Sequence, residues 1–176
     1  MNDSSLSYTD ELDKSYGIAG MAITIVALDA QDLLDRIDID AEPGHTMQMT
    51  AHFGMRGNPR MSAKILWEES VRDLRVTTSM ALGNITCRRA VACNAPVASD
   101  ETERLREAVR YEGARHCDLE EDEADALFEH CNEYVHRIFR HAGLPQIVHA
   151  FADRLRKQRS MSTAELVDTL AQFGLR

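Results

Sequence analysis

The sequence predicts a mainly α-helical protein: five to six helices around a central buried helix at residues 59–90, with a small β-hairpin at about residues 36–53. Three observations lead to this prediction. Prolines and clustered glycines leave long uninterrupted segments between them, which favours helices. Several of these segments carry apolar residues at spacings of three and four. Residues 77–86 contain no charged side chain, and a helix that is apolar on every side is normally enclosed by other elements.

Length and composition fit one soluble domain. A chain of 176 residues can bury about 70% of its unfolded surface without a disulfide or a metal. Residues 1–176 are therefore expected to form a single domain, with a disordered polar tail at residues 1–8. An acidic N-terminus and four cysteines without CxxC spacing favour a cytoplasmic protein with reduced thiols.

The charge balance argues against two classes of partner. The formal net charge is -9, so nucleic acid and anionic membranes repel the chain on average. The longest apolar run, residues 18–30, is too short to span a bilayer and is followed by polar residues. Neither a nucleic acid nor a membrane is expected as a partner.

The first element is predicted from an apolar series that begins at Leu12. Apolar residues recur from there at spacings of four and three, which favours a helix. Gly17, Gly20 and the β-branched run at residues 23–26 fit a buried strand as well. Residues 17–30 are thus compatible with a helix or a strand, and the helix is preferred.

Alternating residues predict the hairpin. Apolar and acidic side chains alternate over residues 37–42, and a second alternation of apolar residues follows at residues 47–53. Pro43 and Gly44 between them supply the dipeptide of a type II turn. Because a two-stranded hairpin is marginally stable alone, we expect it to pack on the helices or to pair with another strand.

Four further helices are predicted after Pro96. They lie at residues 100–115, at residues 119–142, from Pro145 onwards, and between Ser162 and Gly174. The helix at residues 119–142 has the clearest apolar stripe. Three capping boxes are predicted at helix starts, and their pairs are Asp100 with Glu103, Asp118 with Glu121, and Ser162 with Glu165. The last helix is expected to bury Val167, Leu170 and Ala171.

Possible metal sites in the sequence fail a geometric test. Glu129, Glu133 and His136 contain Glu-x-x-His, the half-site of di-iron carboxylate bundles. At 100° per residue all three lie opposite the apolar stripe, whereas a bundle site needs inward ligands. The His-Cys pairs at residues 116–117 and 130–131 are too far apart along the helix to share zinc.

No catalytic, cofactor-binding or metal-binding residue is therefore assigned. Motifs for a nucleophilic serine or a phosphate-binding loop are also missing from the sequence. Whether the surface histidines and carboxylates form a site is left open by the spacing.

A basic cluster is the candidate interaction surface. Its members are Arg154, Arg156, Lys157 and Arg159. A helix-turn-helix would place these side chains on phosphates, but the following helix carries Glu165 and Asp168 and no base-reading arginine or lysine. The cluster also fits a helix C-terminus, where cations are favourable, and it could meet the acidic surface of residues 100–133.

The favoured function is a non-enzymatic protein-interaction or regulatory module, with a protein partner or self-association into a homodimer. Two features motivate this hypothesis: the hairpin edge, which can extend a sheet by strand addition, and the segregated acidic and basic surfaces. The alternative is a small-molecule or metal-dependent helical enzyme, whose scattered site residues spacing cannot reveal.

Overall fold

The computed structural model describes residues 7–42, 44–51, 53 and 62–175. Within these ranges it contains six α-helices and a small antiparallel sheet, so the predicted mainly α class is confirmed. The helices are α1 (Glu11–Ala27), α2 (Ala63–Thr86), α3 (Ser99–Cys117), α4 (Glu121–Phe139), α5 (Leu144–Gln158) and α6 (Thr163–Gln172). The strands are β1 (Leu34–Asp38), β2 (Met47–Met49) and β3 (Ser160–Ser162).

Two glycines let α1 and α2 cross in backbone contact. A Cβ atom added to Gly20 would overlap the carbonyl oxygen of Gly83 and lie 2.7 Å from the Cβ of Cys87. A Cβ atom added to Gly83 would overlap the hydroxyl of Thr24, which donates a 2.8 Å hydrogen bond to the Gly20 carbonyl. Neither position has room for a side chain.

The segment that fitted a helix or a strand is helical. Residues 17–25 are all buried, because α1 packs against α2 on one side and α5 on another. Its β-branched run is therefore enclosed by neighbouring helices instead of being paired in a sheet. The helix ends at Ala27, and Asp29 then adopts a left-handed φ of 54° that turns the chain towards β1.

The central helix is α2, and burial is confined to its second half. From Val76 to Cys87 every residue except Thr77 is buried, whereas residues 63–75 contain no buried residue. Ile65 and Trp67 are 45% and 48% exposed. The enclosure predicted for this part of the helix is not observed. Charged residues are interspersed among its apolar ones, and the contact of Trp67 with the end of α3 leaves about half of that side chain exposed. Residues 59–61 of the predicted helix lie outside the described residues.

The second half of α2 links two hydrophobic clusters. Val76 and Met80 pack into the larger cluster with α1, the sheet, α5 and α6. Leu82 and Ile85 pack into the smaller cluster with α3 and α4, which contains the fully buried Phe128. In the part of the chain that the structure describes, no helix combines the length and hydropathy needed to span a bilayer.

A third strand completes the predicted hairpin. The strand order is β2-β1-β3, and β1 is antiparallel to both neighbours. Ile37 of β1 pairs with Met47 on one side and with Met161 on the other, and all three side chains are buried. The hairpin thus pairs with another edge, which comes from the far end of the chain. Pro43 of the predicted turn lies outside the described residues.

One of the three predicted capping boxes forms. Ser162 and Glu165 bond each other's backbone N–H groups at the start of α6. The box predicted from Asp118 is wrong, because Asp118 ends α3 with a left-handed φ of 54° and Glu120 and Glu123 form the box of α4 instead. The box predicted for α3 is also wrong, since its N-cap is Ala98, and no side-chain cap hydrogen bond forms there.

The buried face of α6 differs from the predicted one. It contains Leu166, Thr169 and Leu170. Of the residues expected in the core, Leu170 is buried and Ala171 is exposed. The face is set by the contacts of α6 with the sheet and α5.

Replacing Gly20 with alanine is expected to destabilise the protein, although alanine favours a helix by about 1 kcal/mol over glycine. The added methyl group would overlap the α2 backbone, and overpacking of this kind typically costs about 1–3 kcal/mol. Urea denaturation followed by circular dichroism would show the loss as a lower midpoint.

Gly113→Ala in α3 is the matched control. A Cβ atom there would lie 3.4 Å from Leu119 Cδ1, an ordinary contact, so this variant should gain up to about 1 kcal/mol in the free energy of unfolding. Equal midpoints for the Gly20 and Gly113 variants would contradict the tight crossing.

Candidate functional site

The basic cluster lies at the C-terminal end of α5, and part of it is neutralised within the chain. Arg159 Nη1 lies 3.0 Å from a carboxylate oxygen of Glu11, and its guanidinium also pairs with Asp40. Arg156 Nε lies 3.6 Å from the same Glu11 carboxylate. The hydrogen bonds that Arg159 donates to the carboxylates of Asp40 and Glu11 hold its pKa above its usual range. These acidic partners belong to α1 and to the segment after β1, not to residues 100–133.

The other two members of the basic cluster are exposed. Arg154 Nε donates to the side-chain oxygen of Gln158 at 3.2 Å, and Lys157 faces solvent. The structure thus divides the four predicted residues into an internally paired half and an exposed half.

Three acidic residues of α4, Glu121, Asp125 and Glu129, pair with arginines of α3. Arg110 binds Asp125 through two hydrogen bonds of 2.7 Å, which lower the pKa of that carboxyl group. Arg106 bonds the Glu129 carboxylate and stacks 4.6 Å from the Phe128 ring centre. The acidic surface predicted over residues 100–133 is therefore compensated in part by its own helices.

The three residues considered for the Glu-x-x-His site of α4 differ in their exposure to solvent. Glu129 and Glu133 are exposed, as the helical geometry predicted, whereas His136 is half-buried. In the ranges that the structure describes, no three His, Cys, Asp or Glu side chains converge so that they could hold a metal ion.

A buried polar network joins α1 to the end of α2. Arg88 binds Asp13 through two hydrogen bonds of 2.6 Å. The fully buried Asn84 donates to the Tyr8 hydroxyl at 3.0 Å. Burial alone would raise the pKa of Asp13, but the hydrogen bonds from Arg88 and Thr9 outweigh it and lower that pKa. Burial raises the pKa of Tyr8. The groups satisfy one another, so the network stabilises the helix contact.

A cleft of about 370 Å³ opens between the second half of α2 and the end of α4, beside the start of α3. We call it the α2–α4 cleft. Its apolar lining consists of Leu82, Ile85, Ala90, Pro96, Val97 and Phe139. Its polar lining consists of Thr86, Thr102, Asn132, His136 and Arg140. Clefts of about 300–1,000 Å³ with a mainly apolar lining and a few polar groups are the usual sites for small molecules.

Three polar side chains of the α2–α4 cleft are available for binding. No side chain among the described residues bonds those of Asn132, His136 or Arg140. Thr86 lines the cleft although it is only 5% exposed. The cleft therefore offers several polar side chains that can form hydrogen bonds with a ligand.

Sequence reasoning found one polar residue of this cleft and missed the others. His136 was considered as a metal ligand, but its neighbours Asn132 and Arg140 were not considered. The available signal was their spacing of four residues, which places all three along one side of α4 and its C-cap. No pattern in the neighbouring sequence indicated that Thr86 of α2 would line the same cleft.

No family model, curated protein or solved structure matches this chain.

The four free cysteines should differ sharply in reactivity. Cys93 is exposed, whereas Cys87, Cys117 and Cys131 are buried. Burial raises the pKa of the Cys87 and Cys131 thiols, and the thiolate is the reactive form. Ellman's reagent should therefore modify one thiol rapidly in the native protein and the remaining thiols only in urea.

Cys93→Ser should abolish the rapid phase, and Cys131→Ser should leave it unchanged. A rapid phase that persisted in the Cys93 variant would show that a cysteine placed in the core is accessible.

Asp13→Asn should destabilise the protein at pH 7 by about 1–3 kcal/mol, because it leaves the largely buried Arg88 without its carboxylate. The Asp13 pKa is lowered in the folded protein. The contribution is therefore fully present above the unfolded pKa of about 3.9 and is lost as the pH falls through the folded pKa. Urea denaturation at a series of pH values would measure it.

Asp153→Asn serves as the control, because its carboxylate is 66% exposed and lies 3.8 Å from Arg156. An exposed pair of this kind should change the free energy of unfolding by less than about 1 kcal/mol. A loss in the Asp13 variant that did not shrink in acid would contradict the assigned ion pair.

Proposed function

We propose that this chain is a non-enzymatic protein-interaction module that pairs with a second copy of itself through the first half of α2. The observation that supports this proposal is the exposure of large apolar side chains where α2 extends beyond the core. Ile65 and Trp67 are 45% and 48% exposed, and Leu66, Val71 and Leu74 are half-buried. Exposed apolar surface of this kind is typical of interaction sites.

Trp67, in the exposed half of α2, is already held in position before any partner binds. The Trp67 indole N–H donates a 2.6 Å hydrogen bond to the Cys117 carbonyl at the end of α3. This bond fixes one end of the ring while about half of the side chain remains exposed. An aromatic side chain held in one position loses little conformational entropy on binding, and tryptophan is enriched among the residues that dominate interfaces.

Charge favours a second copy as the occupant. Residues 63–75 carry three basic and three acidic side chains, whereas the whole chain has a net charge of -9. Two copies that met through a typical acidic surface would repel each other. A symmetric interface uses the same surface twice, so a surface without net charge is the one best suited to it.

The two features that first motivated an interaction module carry less weight. β2 and β3, the outer strands of the sheet, have only three residues each, which leaves little edge for strand addition. The charges of the acidic and basic surfaces are partly neutralised by ion pairs within the chain, such as Arg110 with Asp125 and Arg159 with Asp40.

Ile65→Asp should convert the protein from a dimer to a monomer, because pairing would bury an unpaired charge. We expect the dissociation constant to rise by at least about tenfold, which corresponds to about 1.4 kcal/mol. Sedimentation velocity over a range of concentrations would measure it, with circular dichroism to verify the fold.

Leu12→Asp is the matched control, since Leu12 is also apolar and 46% exposed but lies on α1. This variant should pair as the natural chain does. A natural chain that stays monomeric up to its solubility limit, or equal losses in both variants, would refute pairing through α2.

The alternative of a small-molecule or metal-dependent enzyme is supported by one observation, the α2–α4 cleft. Metal analysis of protein purified without a histidine tag tests its metal-dependent form. Stoichiometric iron, manganese or zinc would overturn the non-enzymatic proposal.

A further inference from the structure

We infer that the α2–α4 cleft binds a small organic carboxylate that carries an apolar body. This inference is independent of the pairing proposal, because the cleft is built on the second half of α2 and pairing is assigned to the first half.

The charge of the lining selects an anion. The chain has 29 acidic and 20 basic side chains, yet among the described residues no carboxylate lines the cleft, whereas Arg140 and His136 do. The nearest acidic positions on the same helix are Glu129 and Glu133, which are exposed and outside the lining. A cleft with a guanidinium and without a carboxylate favours a negatively charged ligand.

The polar groups form a row that suits a carboxylate. Asn132, His136 and Arg140 follow one another at spacings of four residues along α4, so their backbone positions are about 6 Å apart. An arginine guanidinium binds a carboxylate through two parallel hydrogen bonds. The amide of Asn132 and the imidazole of His136 then remain to bond further polar atoms of the ligand.

Thr86 adds a hydroxyl group to the cleft from a second helix. It belongs to α2, lines the cleft together with the polar groups of α4, and is only 5% exposed. A threonine hydroxyl can donate one hydrogen bond and accept others. A ligand carboxylate in the cleft would accept a hydrogen bond from it.

The remaining lining selects an apolar body. Leu82 and Ile85 belong to the smaller hydrophobic cluster and form part of the cleft wall, together with Val97 and Phe139. A ligand that is only charged, such as phosphate, would leave these side chains against water. An acid with a short alkyl or phenyl group would bury them.

Octanoate and 3-phenylpropionate are suitable probes, and octanamide is the neutral analogue. Isothermal titration calorimetry should detect saturable binding of at least one acid with a dissociation constant below about 1 mM, and at least about tenfold weaker binding of the amide. Chemical-shift changes in ¹H–¹⁵N spectra should be concentrated at Thr86 and at residues 132–140.

Arg140→Gln should weaken binding of the acid by about tenfold or more and leave octanamide unaffected, because it removes the charge and keeps a polar side chain. Arg137→Gln is the control. Arg137 lies on the same helix with its guanidinium 5.3 Å from the Tyr134 ring centre, outside the cleft, and the variant should bind as the natural chain does. Thr86→Val tests the hydroxyl while preserving the shape of the side chain, and should also weaken binding.

Three results would overturn the inference: no binding of either acid below about 1 mM, equal binding of acid and amide, or equal affinity in the Arg140 and Arg137 variants. Ile65→Asp should retain full binding of the acid. Failure of the pairing proposal would therefore be distinguishable from failure of this one.

Discussion

The contact between Gly20 and Gly83 is the constraint on which the rest of the structure depends. Because neither residue has a side chain, the α1 and α2 backbones approach closely enough for Thr24 to pack directly on Gly83. This approach brings Asn84 of α2, and Arg88 just after α2, against the N-terminal part of α1 and the residues before it. The buried polar network and the hydrophobic clusters on the two sides of α2 both follow from the same crossing.

The crossing also divides α2 into two halves with different environments. The second half is held between α1 on one side and α3 and α4 on the other, so its small and apolar residues are buried. The first half extends past that contact, where Ile65 and Trp67 lie between the charged residues Lys64 and Glu68. A binding surface and a binding cleft can therefore occupy one helix without sharing residues.

Charge pairing within the chain changes which surfaces are available to a partner. Arg106 and Arg110 neutralise part of the negative charge of α4, and Arg159 neutralises part of the charge of Glu11 and Asp40. A stretch of one charge in the sequence is thus a poor guide to the potential at the surface. The lining of the α2–α4 cleft indicates which ligand charge it favours, because it contains Arg140 and His136 although the chain as a whole is acidic.

The sequence by itself determined what depends on neighbouring residues: the helices, the alternation of β1, and the capping box of Ser162 with Glu165. Periodicity and capping operate within a few residues, so they can be read locally. Only the tertiary structure decided the pairing of β3 with β1, the exposure of Trp67 and the position of Thr86 opposite His136. These features involve residues far apart in the sequence, such as Ile37 with Met161 and Trp67 with Cys117, and local spacing contains no information about such contacts.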